Sequence, residues 1–260
     1  MSIQSENTDR NKTKIVSLFW TGGFDSTYRL IDLLLKGYTV ETIYLTKNID
    51  GRRSSQRERE TMGKLRLSIT EILPEVAENL LETVEVSDVI IPETISKFVK
   101  DVGFSGQPKA TEWAVKMGYA HYVGQPINLG KQYVFLAILS MIHPRPIEVC
   151  VIKGDRAEKF FKDKVLGEGI HKRIDPSYFS DPKYEFLVIF RNFRLPVINM
   201  SKADMYRDAR QRGFLDLLNQ TWTCWKPVKG SNAPCGKCPT CKHRKKELRE
   251  VEFLEGNSEN

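Results

Sequence analysis

Short apolar runs alternate with longer amphipathic stretches along this chain, and each pattern predicts its own element. Residues 15–20 form a β-rich apolar run that stops at Thr21-Gly22-Gly23, and a helical pattern opens at Asp25-Ser26-Thr27 and runs to 36. Gly37 is a helix stop, after which residues 39–45 alternate as a second strand. Residues 54–81 are charged and helical in pattern, with a break at Pro74, and residues 82–91, rich in Val and Ile, suit a third strand. Helices are predicted over 111–120, 130–142 and 155–166, and a continuous apolar strand over 147–152. A short last strand is predicted over 195–199, with its helix over 202–212. Residues 168–194 fit neither period and are expected to form a lid or an interface. Strands alternating with helices imply an α/β fold with a parallel sheet and right-handed crossovers. Ligands bind such sheets at the carboxyl ends of the strands, which would gather residues 21–27, Thr46, Lys153-Gly154 and Ser201-Lys202.

The first strand-to-helix junction carries the strongest chemical signal. Bare N–H groups at a helix start attract phosphate, and paired glycines let the backbone approach an anion closely. Thr21, Ser26 and Thr27 add hydroxyl donors to Gly22 and Gly23. Asp25 has three uses open to it: Mg2+ ligand, loop orienter or helix cap. An ordinary capped β–α turn is the plainer reading. The pattern is neither the dinucleotide fingerprint nor the Walker loop, since GxGxxG and GK[ST] are both missing.

Four of the five cysteines lie near the other end, Cys224 and then Cys235, Cys238 and Cys241 in the run CGKCPTC. Four thiolates complete a tetrahedral zinc shell, the mark of a structural site. An iron–sulfur cluster is the alternative, and disulfides fit poorly with a chain that shows no export signal. His243 is read as a surface residue, because the thiolates already fill the shell, and Cys150 as a buried core residue in its apolar strand.

TGGFDST resembles the SGGxDS loop of the PP-loop ATP pyrophosphatases, with Thr21 in place of the first serine. Together with TWTC and CGKCPTC it resembles the 7-cyano-7-deazaguanine synthase (QueC) family. LPVINMSKADMYRDARQRGF matches that family's strand, Ser/Thr-Lys-x-Asp/Glu and helix, with Lys202 and Asp204 on the pattern. The likeness covers residues 14–250, specific at its ends and loose between them. NIDGRRSSQRERE keeps a Gly-x-Arg feature (Gly51, Arg53) and an acid (Glu58) but loses a Tyr and a His. The family's Arg-Asn becomes Asn128-Leu-Gly-Lys131, and its Tyr-Pro-Asp-Cys stretch is not recognisable. The resemblance implies a Rossmann-like (HUP, adenine nucleotide alpha hydrolase-like) sheet with a C-terminal zinc-binding segment. It also implies cleavage of ATP to AMP and pyrophosphate with Mg2+, activating 7-carboxy-7-deazaguanine for reaction with ammonia to the amide and then the nitrile. Asp25, Ser26 and Lys202 would be catalytic. Thr21, Gly22, Gly23, Asp25, Ser26, Thr27 and Lys153 would hold the nucleotide, and Cys224, Cys235, Cys238 and Cys241 the zinc.

Other readings share these motifs. Divergent relatives in antiviral systems would join the adenylated acid to an amine on a protein or on another acceptor. A PP-loop tRNA-modifying enzyme would use the basic stretch at 242–246 on RNA. A zinc-stabilised binding module would no longer turn over. Arg52 and Arg53 could clamp anionic oxygens, and Trp222 or Trp225 could stack on a purine-like base, although packing around the metal is the commoner use. His121 and His143 show no partner.

Composition is that of an ordinary globular chain: 40% hydrophobic, 28% charged, and long enough at 260 residues to bury a sizeable core. No apolar run spans a bilayer, and the polar first residues have no secretory h-region, so a cytoplasmic location is expected. Residues 1–13 are expected to be a flexible N-terminus, 14–215 the nucleotide-binding domain and 216–255 the cysteine segment with a terminal helix. A net charge of +7 suits an anionic partner, which ATP and a carboxylate satisfy. The basic run at 242–246 reads first as a solvated helix face and second as a polyanion or partner surface. A homodimer is a family-level expectation.

Overall fold

The computed structural model describes residues 14–46, 54–87, 129, 131–181, 183–228 and 233–246. Its main sheet joins β1 (Ile15–Phe19), β2 (Thr39–Thr46), β3 (Val84–Ser87), β4 (Ile147–Glu148) and β7 (Phe193–Arg194). All neighbours run parallel in the order β3-β2-β1-β4-β7. The order reverses at β1, so the crevice between β1 and β4 at their carboxyl ends is where such a fold binds ligands.

Side-chain alternation makes the sheet two-faced. Leu18 and Trp20 of the first strand point to one face with Val40 and Tyr44, while Phe19 points to the other with Ile43, Leu45, Ile147 and Val149. The first face carries α1 (Phe24–Leu35), α2 (Ser55–Ile72), α3 (Pro74–Ala77), α6 (Lys202–Gln211) and α7 (Leu215–Asn219). The second carries α4 (Lys131–Ile142), α5 (Arg156–Phe161) and a 3-10 turn at Glu185–Phe190. Burial on both faces explains why β1 reads as an apolar run rather than an alternating one.

Buried charge pins α1 to the sheet. Arg29 donates to both Glu148 oxygens at 2.7 Å and to Asp32 at 2.6 Å. Asp32 also meets Lys36 and Arg212 at 2.8 Å, and Arg212 meets Asp208, which accepts from the Tyr28 hydroxyl. Burial works to raise the Asp32 carboxyl, but hydrogen bonds from Lys36 and Arg212 and the Arg29 charge outweigh it and hold the group below its ordinary range.

Several expectations need correction. The strand predicted over 147–152 pairs only at Ile147–Glu148, because its neighbour β7 is itself two residues long. Residues 195–199 do not form the last strand. The chain turns there, with Ile198 N–H bonding Leu195 O and Met200 N–H bonding Val197 O. The helix predicted over 155–166 ends at Phe161, tightens over Lys162–Lys164 and becomes β5 (Val165–Leu166), paired antiparallel with β6 (Arg173–Ile174). Residues 168–194 divide: Leu187, Ile189 and Phe190 are buried in the core, whereas residues 168–173 and 176–181 are mostly exposed. Residues 1–13, the predicted helix at 111–120 and the end of the strand at 82–91 lie outside the described residues. Among the described residues no helix is long and apolar enough to cross a membrane.

Candidate active site

Backbone geometry builds the loop after β1. Trp20 N–H still bonds Ile43 O at 3.0 Å, extending the strand pairing by one residue. Gly22 then takes φ +67°, and Gly23 is the N-cap of α1 with no side-chain cap. The first helical bond runs from Thr27 N–H to Gly23 O. The N–H groups of Phe24, Asp25 and Ser26 precede that bond and have no carbonyl of this helix to accept them. A Cβ on Gly22 would stand 3.2 Å from Thr61 Cγ2 and 3.3 Å from Met62 Cγ. The loop is thus backed by α2 as well as bent in a sense that favours glycine.

Asp25 is not the cap. It stands in the first turn of α1, with Oδ1 buried and 3.8 Å from Lys202 Nζ. Lys202 is placed by the next element: Ser201 and Asp204 form a capping box, with Ser201 Oγ accepting from Asp204 N–H at 3.1 Å and Asp204 Oδ2 accepting from Ser201 N–H at 2.8 Å. Ser26 Oγ donates to Gly23 O at 3.3 Å. Thr21 Oγ1 would touch a Cβ at Gly23 at 3.3 Å, so its hydroxyl lies on the loop. Thr27 differs from the reading of its sequence position. It is fully buried and accepts from Trp20 Nε1 at 3.0 Å, supporting the loop from beneath.

The turn after β4 comes alongside. Lys153 N–H bonds Met200 O at 2.9 Å, bringing this turn to the start of α6, with the Lys153 side chain exposed. Asp155 accepts from Ile152 N–H at 3.3 Å. Burial lifts its carboxyl above the usual range, against the pull of that N–H and of the Lys202 ammonium. Asp25, Lys202 and Asp155 thus surround one crevice between β1 and β4. Asp155 was visible in the sequence only as the end of a Lys-Gly-Asp turn.

The cysteine segment closes the same region. Trp222 N–H bonds Gly22 O at 2.9 Å, and its indole donates to Cys224 O at 2.8 Å. Arg57 of α2 lies 5.5 Å over the Trp222 ring, a contact no periodicity signals. Arg244, from the helix over 239–246, donates to Thr221 O at 3.0 Å. The sulfurs of Cys224, Cys235, Cys238 and Cys241 all lie within 4.8 Å of one another. Cys235 and Cys238 N–H groups point at the sulfurs of Cys224 and Cys235, both at 3.3 Å, as suits thiolates. Sulfurs about 2.3 Å from a tetrahedral ion stand about 3.8 Å apart, and the Cys235 and Cys241 sulfurs lie 4.0 Å apart, so the donor set fits a metal.

Other sequence candidates go elsewhere. His143 has a partner after all: it lies 3.0 Å from Glu41, beside Ser17 and Arg145, before β4 begins and far along the chain from the loop. Glu58 accepts from Tyr44 and Ser54 at 2.8 and 2.7 Å. Cys150 is half-buried on the α1 face. Gly51, Arg52, Arg53, His121 and Asn128 lie outside the described residues.

A family model described as queuosine biosynthesis protein QueC matches residues 189–252, which include Lys202 and all four clustered cysteines. A 7-cyano-7-deazaguanine synthase 2 of Sulfurisphaera tokodaii is 25% identical over 239 residues, 92% of this chain and 46% of that protein. A 7-cyano-7-deazaguanine synthase of Methanoregula boonei is 24% identical over 237 residues, 90% of this chain and 94% of that one. A Clostridium novyi protein of the same name is 39% identical over 64 residues, 24% of this chain and 26% of its own. These likenesses are consistent with a divergent relative of the QueC proteins. It spans about half the length of the Sulfurisphaera relative it matches. The QueC model match stops short of the Gly22-Gly23 loop, which falls to the geometry above.

Proposed function

We propose that the protein cleaves ATP between the α and β phosphates to activate a 7-deazaguanine carboxylic acid, which then takes up ammonia. The supporting observation is the Gly22 turn at φ +67° on the central strand, with Asp25 and Lys202 3.8 Å apart beside it. In this reading the N–H groups of Gly23 and the first turn of α1, with the Thr21 and Ser26 hydroxyls, hold the leaving pyrophosphate. Preorganised donors of this kind stabilise developing charge without reorganising during the reaction. Asp25 would hold a Mg2+ that neutralises the phosphate oxygens. Lys202, kept in place by the Ser201–Asp204 box, contacts the charge that builds between nucleotide and acid. Lys153 is a second, exposed cation at the rim. The substrate carboxylate attacks the α-phosphate and gives an acyl-adenylate and pyrophosphate, after which ammonia displaces AMP. The cysteine cluster binds zinc and holds the Trp222 strand against the loop. The names of the relatives support the acid and the final nitrile.

Incubation with ATP, Mg2+, ammonium and 7-carboxy-7-deazaguanine tests the reading. AMP, pyrophosphate and a product with the mass of the amide or nitrile are expected. ADP with inorganic phosphate would overturn it, and so would nucleotide turnover indifferent to the acid.

A further inference from the structure

Residues 221–246 contain Lys226, Lys229, Lys237, Lys242, Arg244, Lys245 and Lys246, and not one Asp or Glu. The chain has 40 Lys and Arg against 33 Asp and Glu. Setting aside these seven cations leaves 33 of each sign, and Glu247, Glu250, Glu252 and Glu255 follow the segment against Arg249. A divalent ion on four thiolates would remove two charges and leave roughly +5. Lys226, Lys237, Lys242, Lys245 and Lys246 are exposed. Lys242 and Lys245 stand three residues apart on the helix over 239–246, on one side of it.

A second observation points to the same kind of ligand. Trp225 is 41% exposed. The indole lies within the cationic segment, next to Lys226. An exposed aromatic plane among lysines suits a base stacked on the ring with its phosphates on the ammonium groups.

We propose that the cysteine segment binds single-stranded nucleic acid, with Trp225 stacking on an unpaired base and Lys242, Lys245 and Lys246 contacting phosphates. The test uses the full-length, zinc-loaded protein and fluorescence anisotropy with a short labelled oligoribonucleotide, its deoxy counterpart and a duplex. Binding to either single strand, weaker on the duplex and falling steeply with salt, is expected, and tighter RNA binding would identify contacts to the 2′-hydroxyl. Trp225→Ala should weaken binding by about tenfold or more, the usual loss for one stacked base. Joint Lys242→Ala, Lys245→Ala and Lys246→Ala should lower the slope of log affinity against log salt by about 2. Metal content and melting temperature of each variant separate these effects from misfolding. No binding to either single strand at low salt would overturn the proposal. So would heparin binding as tight as oligonucleotide binding and equally indifferent to Trp225→Ala, or binding to anionic vesicles alone.

Discussion

Gly22 shows how much rests on single residues. Its φ of +67° disfavours any side chain, and a Cβ would press on Thr61 Cγ2 at 3.2 Å. Gly22→Ala should cost about 1–2 kcal/mol from the left-handed backbone alone, and more if Thr61 and Met62 must shift. Urea denaturation checks this, and an unchanged midpoint would contradict the bend. The Arg29–Glu148 pair is the second such point, with two 2.7 Å bonds in a buried setting. Glu148→Ala should destabilise by about 3–5 kcal/mol, because it strands a buried guanidinium. A midpoint shift well under 1 kcal/mol would show that water reaches Arg29. The glycine pair was legible in sequence because a turn needs particular residues at adjacent positions. Glu148 was visible as an acid inside an apolar run, but its partner lies 119 residues away, and no local pattern connects them. Thr27 was misplaced for a similar reason: hydroxyls at a helix start look alike until burial separates those facing the crevice from those facing the core.

Elements were read well where one period ran long. α1, α2 and β2 fall within a residue or two of their sequence bounds, since each buries a regular stripe. β4 and β7 were not, because strand length is set by the neighbour available for pairing, which the chain does not encode locally. The turns at 168–194 lack any period and enter the core through Leu187, Ile189 and Phe190. The cysteine segment was legible from spacing alone, yet its attachment to Gly22 through Trp222 was not. That attachment links metal to loop. Cys238→Ser should make bound zinc substoichiometric, lower the melting temperature by several degrees and reduce AMP formation with it. Full zinc content in the variant would contradict a four-thiolate site.

The molecule as a whole is a doubly wound sheet whose two faces are closed by helices and whose strand order reverses at β1. Its charges also tie stability to pH. Asp32, Glu41 and Asp204 are held below the ordinary carboxylate range: in Asp32 and Glu41 hydrogen bonds and nearby cations overcome the opposing effect of burial, and in Asp204 the Ser201 hydrogen bonds lead. A depressed native pKa adds stability that is fully present above the unfolded value, near pH 4, and is lost as pH falls through the native value. Denaturation midpoints should therefore hold between neutrality and about pH 5 and drop steeply below pH 4. A flat profile to pH 2.5 would show that these contacts are not formed. The central claim is that the bend after β1 grips the outer phosphates of ATP while the inner linkage breaks. Exchange of labelled pyrophosphate into ATP measures that step directly. Exchange that requires the carboxylic acid and disappears in Asp25→Ala, with the melting temperature kept, is the predicted result; exchange undiminished in Asp25→Ala, or label released only as inorganic phosphate, would contradict it.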